Sequence, residues 1–270
     1  MMVCVADRLY YHHKESNKIM THATMPTTLT TLTTLTPGKL TVCTYGGFAP
    51  VCYKDKNSKL TGLDVIFLEK FALSLGLDIV LIEHDFDGIW TMPDENRCDI
   101  AAAGVQQRDN RHVGPGGCWS DAYFQVQRSL LVRSADKAAF DDYETVVGKT
   151  IVVTRGSTAD IDAKARYHPR CTIKCVDELV PKDQPDAQEY IVNTLMKYHK
   201  VDAFGEGDVS NQYLSGIYSK NIEGGLALAD IHHIDGSNET FNFITRKASK
   251  GLLELLNTYI ANNKGSYAKA

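Results

Sequence analysis

The order of patterns between Leu40 and Glu83 constrains this chain more than any other feature. Leu40 to Thr44 alternates apolar and polar residues as a strand does. A helix follows, opened by Asp64 as its cap, with Phe67, Leu68, Phe71, Ala72 and Leu75 at helical spacing and Gly76 as its stop. Leu77 to Glu83 then reads as a second strand. Strand, helix and strand in that order make a parallel crossover unit, which places the chain in the α/β class.

The pattern recurs in the second half. It runs through strand Thr150 to Val153, turn Arg155 to Thr158, a helix from Ala159, strand Thr172 to Val176, helix Ala187 to Tyr198 and strand Val201 to Phe204. Between the halves, Asp99 to Ala103 is a short buried strand that ends at Gly104 and opens into a polar segment with Arg108 and Arg111. Ser120 to Phe124 leads into strand Gln127 to Arg133, while Thr240 to Thr245 and helix Lys250 to Asn262 close the chain. Two α/β halves in tandem predict two lobes with a cleft between them. Sheets of this class hold ligands at the carboxyl ends of their strands. A guanidinium there suits a carboxylate or phosphate, because its planar fork donates two parallel hydrogen bonds. The alternative for Arg108 and Arg111 is that they are solvated residues of a helix's first turn.

Composition removes several function classes. A net charge of -4 argues against a nucleic-acid partner, which requires a basic face. No apolar run approaches the roughly 20 residues of a membrane span, so a soluble chain is expected. Residues 1–37, with His12, His13 and repeated Thr-Thr-Leu, read as a disordered leader without the apolar stretch of a secretory signal. Either the chain stays inside the cell or the printed start is not the natural one. Of seven cysteines, Cys171 and Cys175 lie ~13 Å apart if extended, too far for a disulfide. Cys98 and Cys118 either close a loop around the arginine segment or are reduced thiols. His232 and His233, adjacent in sequence, read as surface residues. There is no nucleophile elbow, phosphate-binding lysine loop or metal-ligand spacing, so no catalytic residue, metal or cofactor is expected.

Seven phrases in register resemble the type II solute-binding proteins, in particular the polar amino-acid receptors of ABC transporters. They are Gly38 to Pro50, Leu60 to Gly76, Asp85 to Gly88, Gly104 with Arg111, Ser120 to Tyr123, Gly156 to Thr158 and Lys200 to Ala203. The resemblance implies a two-lobe periplasmic-binding-protein fold with two crossing hinge strands, near Tyr123 to Gln127 and Ser237 to Thr240. Lobe 1 would comprise 38–125 and 240–270, and lobe 2 would comprise 126–239. It also implies a monomer in the periplasm or outside the cell that binds a small polar amino acid or related carboxylate and engages a membrane permease. The missing leader signal leaves a cytoplasmic location open.

The family's site, carried over by position, puts Arg111 on the ligand's carboxylate, with Gly104 and Gln106 adding hydrogen bonds. Ser157 and Thr158 meet the same anion where a helix begins. Phe48 and Phe86 sandwich the ligand body. Tyr45 replaces an Asp that often ends the first strand, and Gly207 holds the register of the Asp that pairs with an α-ammonium. Glu206 and Asp208, on either side of Gly207, are the substitutes. Two other readings are an enzyme of the same fold, a cyclohexadienyl or arogenate dehydratase with Glu206, Asp208 or His84 as general acid, and an intracellular protein that uses the fold to bind a partner.

Overall fold

The crossover at the start of the chain forms as its spacing requires in the computed structural model, which describes residues 31–140, 144–229 and 239–269. β1 (Lys39–Thr44) leads into a small ribbon of β2 (Gly47–Phe48), β3 (Cys52–Lys54) and β4 (Leu60–Thr61). Helix α1 (Leu63–Ser74) returns the chain to β5 (Asp78–Glu83), which pairs with β1 in parallel from Lys39 opposite Asp78 to Thr44 opposite Glu83. β6 (Ile100–Ala102) pairs in parallel on the other side of β1. β7 (Gly117–Val126) runs directly into β8 (Arg128–Arg133), which belongs to a second sheet. There follow α2 (Lys137–Phe140), β9 (Thr150–Val153), α3 (Thr158–Tyr167), β10 (Thr172–Cys175), α4 (Val176–Leu179), α5 (Ala187–Tyr190), β11 (Ala203–Gly207), α6 (Asp208–Tyr218) and β12 (Leu226–Ala229). β13 (Glu239–Arg246) and α7 (Leu252–Asn263) complete the first sheet's layer.

The two sheets share one topology. Their orders are β5-β1-β6-β13-β7 and β10-β9-β11-β8-β12. In each, three parallel strands are followed by an antiparallel strand, β13 or β8, that separates the third from an outer strand. Glu239, where β13 begins, pairs with Val126, where β7 ends. The expected second crossing, Ser237 to Thr240, lies largely outside the described residues, as do His12, His13, His232 and His233.

Burial explains the sequence patterns. Phe67, Leu68 and Phe71 of α1 join Leu40, Val42, Ile100, Phe241 and Phe243 in one apolar cluster. The second sheet is covered on both faces: Ile151 and Val153 pack with Ala163, Tyr167 and Ala203, while Val152 packs with Ile191, Val192, Phe204 and Leu214. That two-sided cover accounts for the unbroken apolar run Ile151 to Val153.

Four local expectations are corrected. Asp64 does not cap α1; Gly62 stands at the cap with φ 121, where a Cβ would lie 2.5 Å from the Val51 carbonyl oxygen. The Asp64 side chain turns inward instead. The segment ending the expected leader is fixed, since Leu32 packs on the first sheet's cluster and the Leu35 N–H donates to Asp99 Oδ1 at 2.7 Å. The helix from Ala187 widens into a π-helical turn over Ile191–Met196. Finally, the strand expected at Val201 to Phe204 runs from Ala203 to Gly207, which carries Glu206 to the sheet's carboxyl edge. The described cysteines, Cys98, Cys118, Cys171 and Cys175 among them, are free thiols.

Candidate ligand cleft

Carboxyl ends of strands from both sheets meet around a small cavity of about 20 Å³, room for about one water molecule with the lobes as they stand. From the first lobe come Tyr45 after β1, Phe48 on β2, Phe86 after β5, and Gly104 and Gln106 after β6. From the second come Thr154, Ser157 and Thr158 around the turn from β9 to α3, Glu206 and Gly207 at the end of β11, and Arg128 at the start of β8.

The loop after β6 is held from beneath. The Gly104 N–H donates to Asp64 Oδ2 at 2.9 Å, while Asp64 Oδ1 accepts from the hydroxyls of Tyr123 at 2.7 Å and Tyr267 at 2.6 Å. Burial pushes the Asp64 carboxyl up to about 6 although these donors oppose the shift. Gly104 takes φ +57, and a Cβ there would come within 2.7 Å of the Phe48 ring. A side chain at this position would close the cavity floor.

Arg111 stands behind Gln106 and does not itself line the cavity. Its guanidinium lies over Trp90 at 5.0 Å and Phe86 at 5.4 Å, a cation–π stack that fixes its plane. One nitrogen donates to the main-chain oxygen and to Oε1 of Gln106, at 2.9 and 3.0 Å, and the other reaches the Gly156 oxygen of the second lobe at 2.9 Å. Nε is buried without a hydrogen-bond partner. Burial lowers the pKa to about 10, so the group remains a cation at neutral pH. Phe48 meets Phe241 edge-on at 5.9 Å, and Phe86 meets Tyr45 at 6.0 Å. The face of Phe86 is therefore shared with Arg111.

The second lobe contributes a helix start and a carboxyl. Ser157 caps α3 by accepting from the Asp160 N–H at 3.0 Å, and Thr158 Oγ1 donates across the cleft to Gln106 Oε1 at 2.9 Å. Glu206, 7% exposed, accepts from Thr154 Oγ1 at 2.6 Å, and burial pushes its pKa up to about 7. Arg128 pins the crossing point: it donates to the Thr158 oxygen at 3.0 Å and pairs with Glu239 at 2.9 Å.

Eight of the ten residues expected from sequence thus line one cavity: Tyr45, Phe48, Phe86, Gly104, Gln106, Ser157, Thr158 and Glu206. Arg111 adjoins it. Asp208 is the exception, because it begins α6 and spends its Oδ1 on the N–H groups of Gln127 at 3.0 Å and Val209 at 2.9 Å. His84 is likewise turned to the Asp85 oxygen at 2.7 Å. Sequence reasoning missed Thr154, which the rule of carboxyl strand ends would have found, and Arg128, which no local pattern marks.

Two lobes of common topology, with a charged and aromatic cleft at their facing strand ends, define a solute-binding protein of the type II periplasmic fold. The chain matches the bacterial extracellular solute-binding proteins, family 3, over residues 40–269, and it belongs to that family. It is 26% identical over 227 residues to a probable histidine-binding protein of Campylobacter jejuni, covering 83% of this chain and 79% of that one. An amino acid ABC transporter substrate-binding protein from Streptococcus pneumoniae, solved bound to L-arginine, superposes with a TM-score of 0.71 at 22% identity, over 86% of this chain and 91% of that chain. A cyclohexadienyl dehydratase of Pseudomonas aeruginosa is 26% identical over 130 residues, 47% of this chain and 48% of that protein.

Proposed function

We propose that the cleft binds a polar α-amino acid, as the receptor that hands it to a membrane permease of the ABC type. The ligand carboxylate turns toward Arg111, Thr158 and the N–H groups that open α3, and its ammonium toward Glu206. The observation that carries this reading is Glu206: a carboxyl that burial raises despite donors from Thr154 and the Gly207 N–H, in the same cavity as the helix start and the Arg111 loop. Burial disfavours its charge, and a ligand ammonium beside it would offset that cost. The register that puts Gly207 where the family resemblance implies an Asp is then served by its neighbour one residue earlier. The cavity shares Tyr45, Phe86 and Thr154 with a wider groove that carries Asp85, Asp87 and Asp177 beside Arg155 and Lys182, which favours a polar side chain leading outward.

Lobe limits at 38–125 with 240–270 and at 126–239 belong to this reading; the sheets support them to within a residue, β7 ending at Val126 and β13 beginning at Glu239 in the first sheet. A monomer in the periplasm or outside the cell accords with the family, and among the described residues no helix is long and apolar enough to cross a membrane. A thermal-shift screen of the twenty amino acids and several small carboxylates tests the reading. A ligand at ~100 times its dissociation constant adds about 2.7 kcal/mol of stability, and Arg111→Ala removes that shift. No shift with any compound would defeat it.

A second reading draws on the same carboxyl. A group near neutrality in a cleft is fit to act as a general acid, and a dehydratase stands among the relatives. Turnover of prephenate or arogenate by the wild type, lost in Glu206→Gln, would establish it; binding without turnover favours the receptor.

A further inference from the structure

Gln106 holds a place that a ligand would need. Its Oε1 accepts from the Arg111 guanidinium at 3.0 Å and from Thr158 Oγ1 at 2.9 Å, the two side-chain donors assigned above to the ligand carboxylate. Those donors belong to opposite lobes, so the one amide oxygen bridges the cleft. Every hydrogen-bond acceptor that the structure gives Arg111 is neutral: the main-chain oxygens of Gln106 and Gly156, and this amide. Arg111 is 3% exposed, and its Nε is a buried donor with no acceptor. An amide oxygen therefore satisfies the site in geometry but not in charge. A carboxylate would form charge-assisted bonds roughly twice as strong as neutral ones and has lone pairs for the remaining N–H.

We infer that Gln106 is an internal occupant of the cleft's anion subsite, which holds the lobes together without ligand and must swing out before a ligand carboxylate engages Arg111 and Thr158. The inference rests on the ligand-cleft reading above. An internal occupant lowers every ligand's apparent affinity by one factor, the fraction of molecules with the subsite free. A residue that touches the ligand acts otherwise: its removal weakens binding and changes the ratio between ligands. The two roles predict opposite signs.

The test compares wild type, Gln106→Thr and Gln106→Glu by titration calorimetry, using the amino acid that gives the largest thermal shift and its α-carboxamide. Gln106→Thr, which cannot span the cleft, is expected to bind both compounds at least tenfold more tightly and by the same factor. Gln106→Glu, nearly isosteric, brings a true carboxylate to Arg111 and is expected to weaken both at least tenfold. Small-angle scattering without ligand supplies the second readout: Gln106→Thr should show a larger radius of gyration than the wild type, and Gln106→Glu should not. Weaker or unchanged binding in a folded Gln106→Thr, or an unchanged radius, overturns the inference while leaving the receptor reading intact. Expansion of Gln106→Thr in a protein that binds none of the twenty amino acids would support the internal occupant and defeat the receptor reading.

Discussion

Asp64 and Glu206 are both buried carboxyls near the carboxyl edge of a central sheet, and they differ in what they face. Asp64 accepts three hydrogen bonds, from Gly104, Tyr123 and Tyr267, which tie β6's loop to β7 and to the end of the chain. Glu206 accepts from the Thr154 hydroxyl and the Gly207 N–H and faces the cavity. Burial raises both, to about 6 and about 7. The difference separates a carboxyl that ties the cleft's wall together from one that lines the cavity and, on the proposed reading, meets the ligand there.

The comparison breaks most visibly at Asp64. Asp64→Ala leaves three donors without an acceptor in a dry environment and is expected to cost about 4 kcal/mol, read as a lower urea midpoint at constant m. A loss below about 1 kcal/mol would mean that the loop after β6 does not depend on it. Glu206→Gln is expected to act in the opposite direction. The folded pKa near 7 lies above the ordinary 4.5, so the native state holds the extra proton between those values and wild-type stability falls as pH rises through that window. Above pH 7 the ionised, buried carboxylate costs on the order of 3 kcal/mol, which the amide avoids. The variant should therefore be the more stable protein at pH 8, with the gap closing toward pH 4.5. Thr154→Val is the mildest change: it removes the hydroxyl donor at a cost of about 1 kcal/mol and moves the Glu206 titration, followed by carboxyl carbon NMR, to higher pH.

The halves of the fold were legible because strand and helix periods survive in the chain, from Leu40 to Glu83 and again from Thr150 to Phe204. Most of the cleft was legible too, since the ends of parallel strands converge and family phrases mark them. What escaped was tertiary. Asp64 looks like a helix cap in sequence, and only packing brings Tyr123 and Tyr267, 59 and 203 residues away, to its oxygens. Asp208 and Glu206 flank Gly207 and are equal candidates until β11 is seen to extend to Gly207, which aims Glu206 into the cavity and leaves Asp208 to the crossing backbone at Gln127. That Gln106 reaches Thr158 depends on the closeness of the lobes, which no spacing encodes.

The claim that Glu206 receives the ligand's ammonium is tested most directly by calorimetric titration of the best-bound amino acid at pH 6 and pH 8, in wild type and Glu206→Gln. An ammonium engages the ionised carboxylate, so wild-type affinity should rise about tenfold from pH 6 to pH 8, with protons released at the lower pH. The variant should bind weakly and show no such dependence. Equal affinities in the two proteins, or the same pH profile in both, would contradict the account.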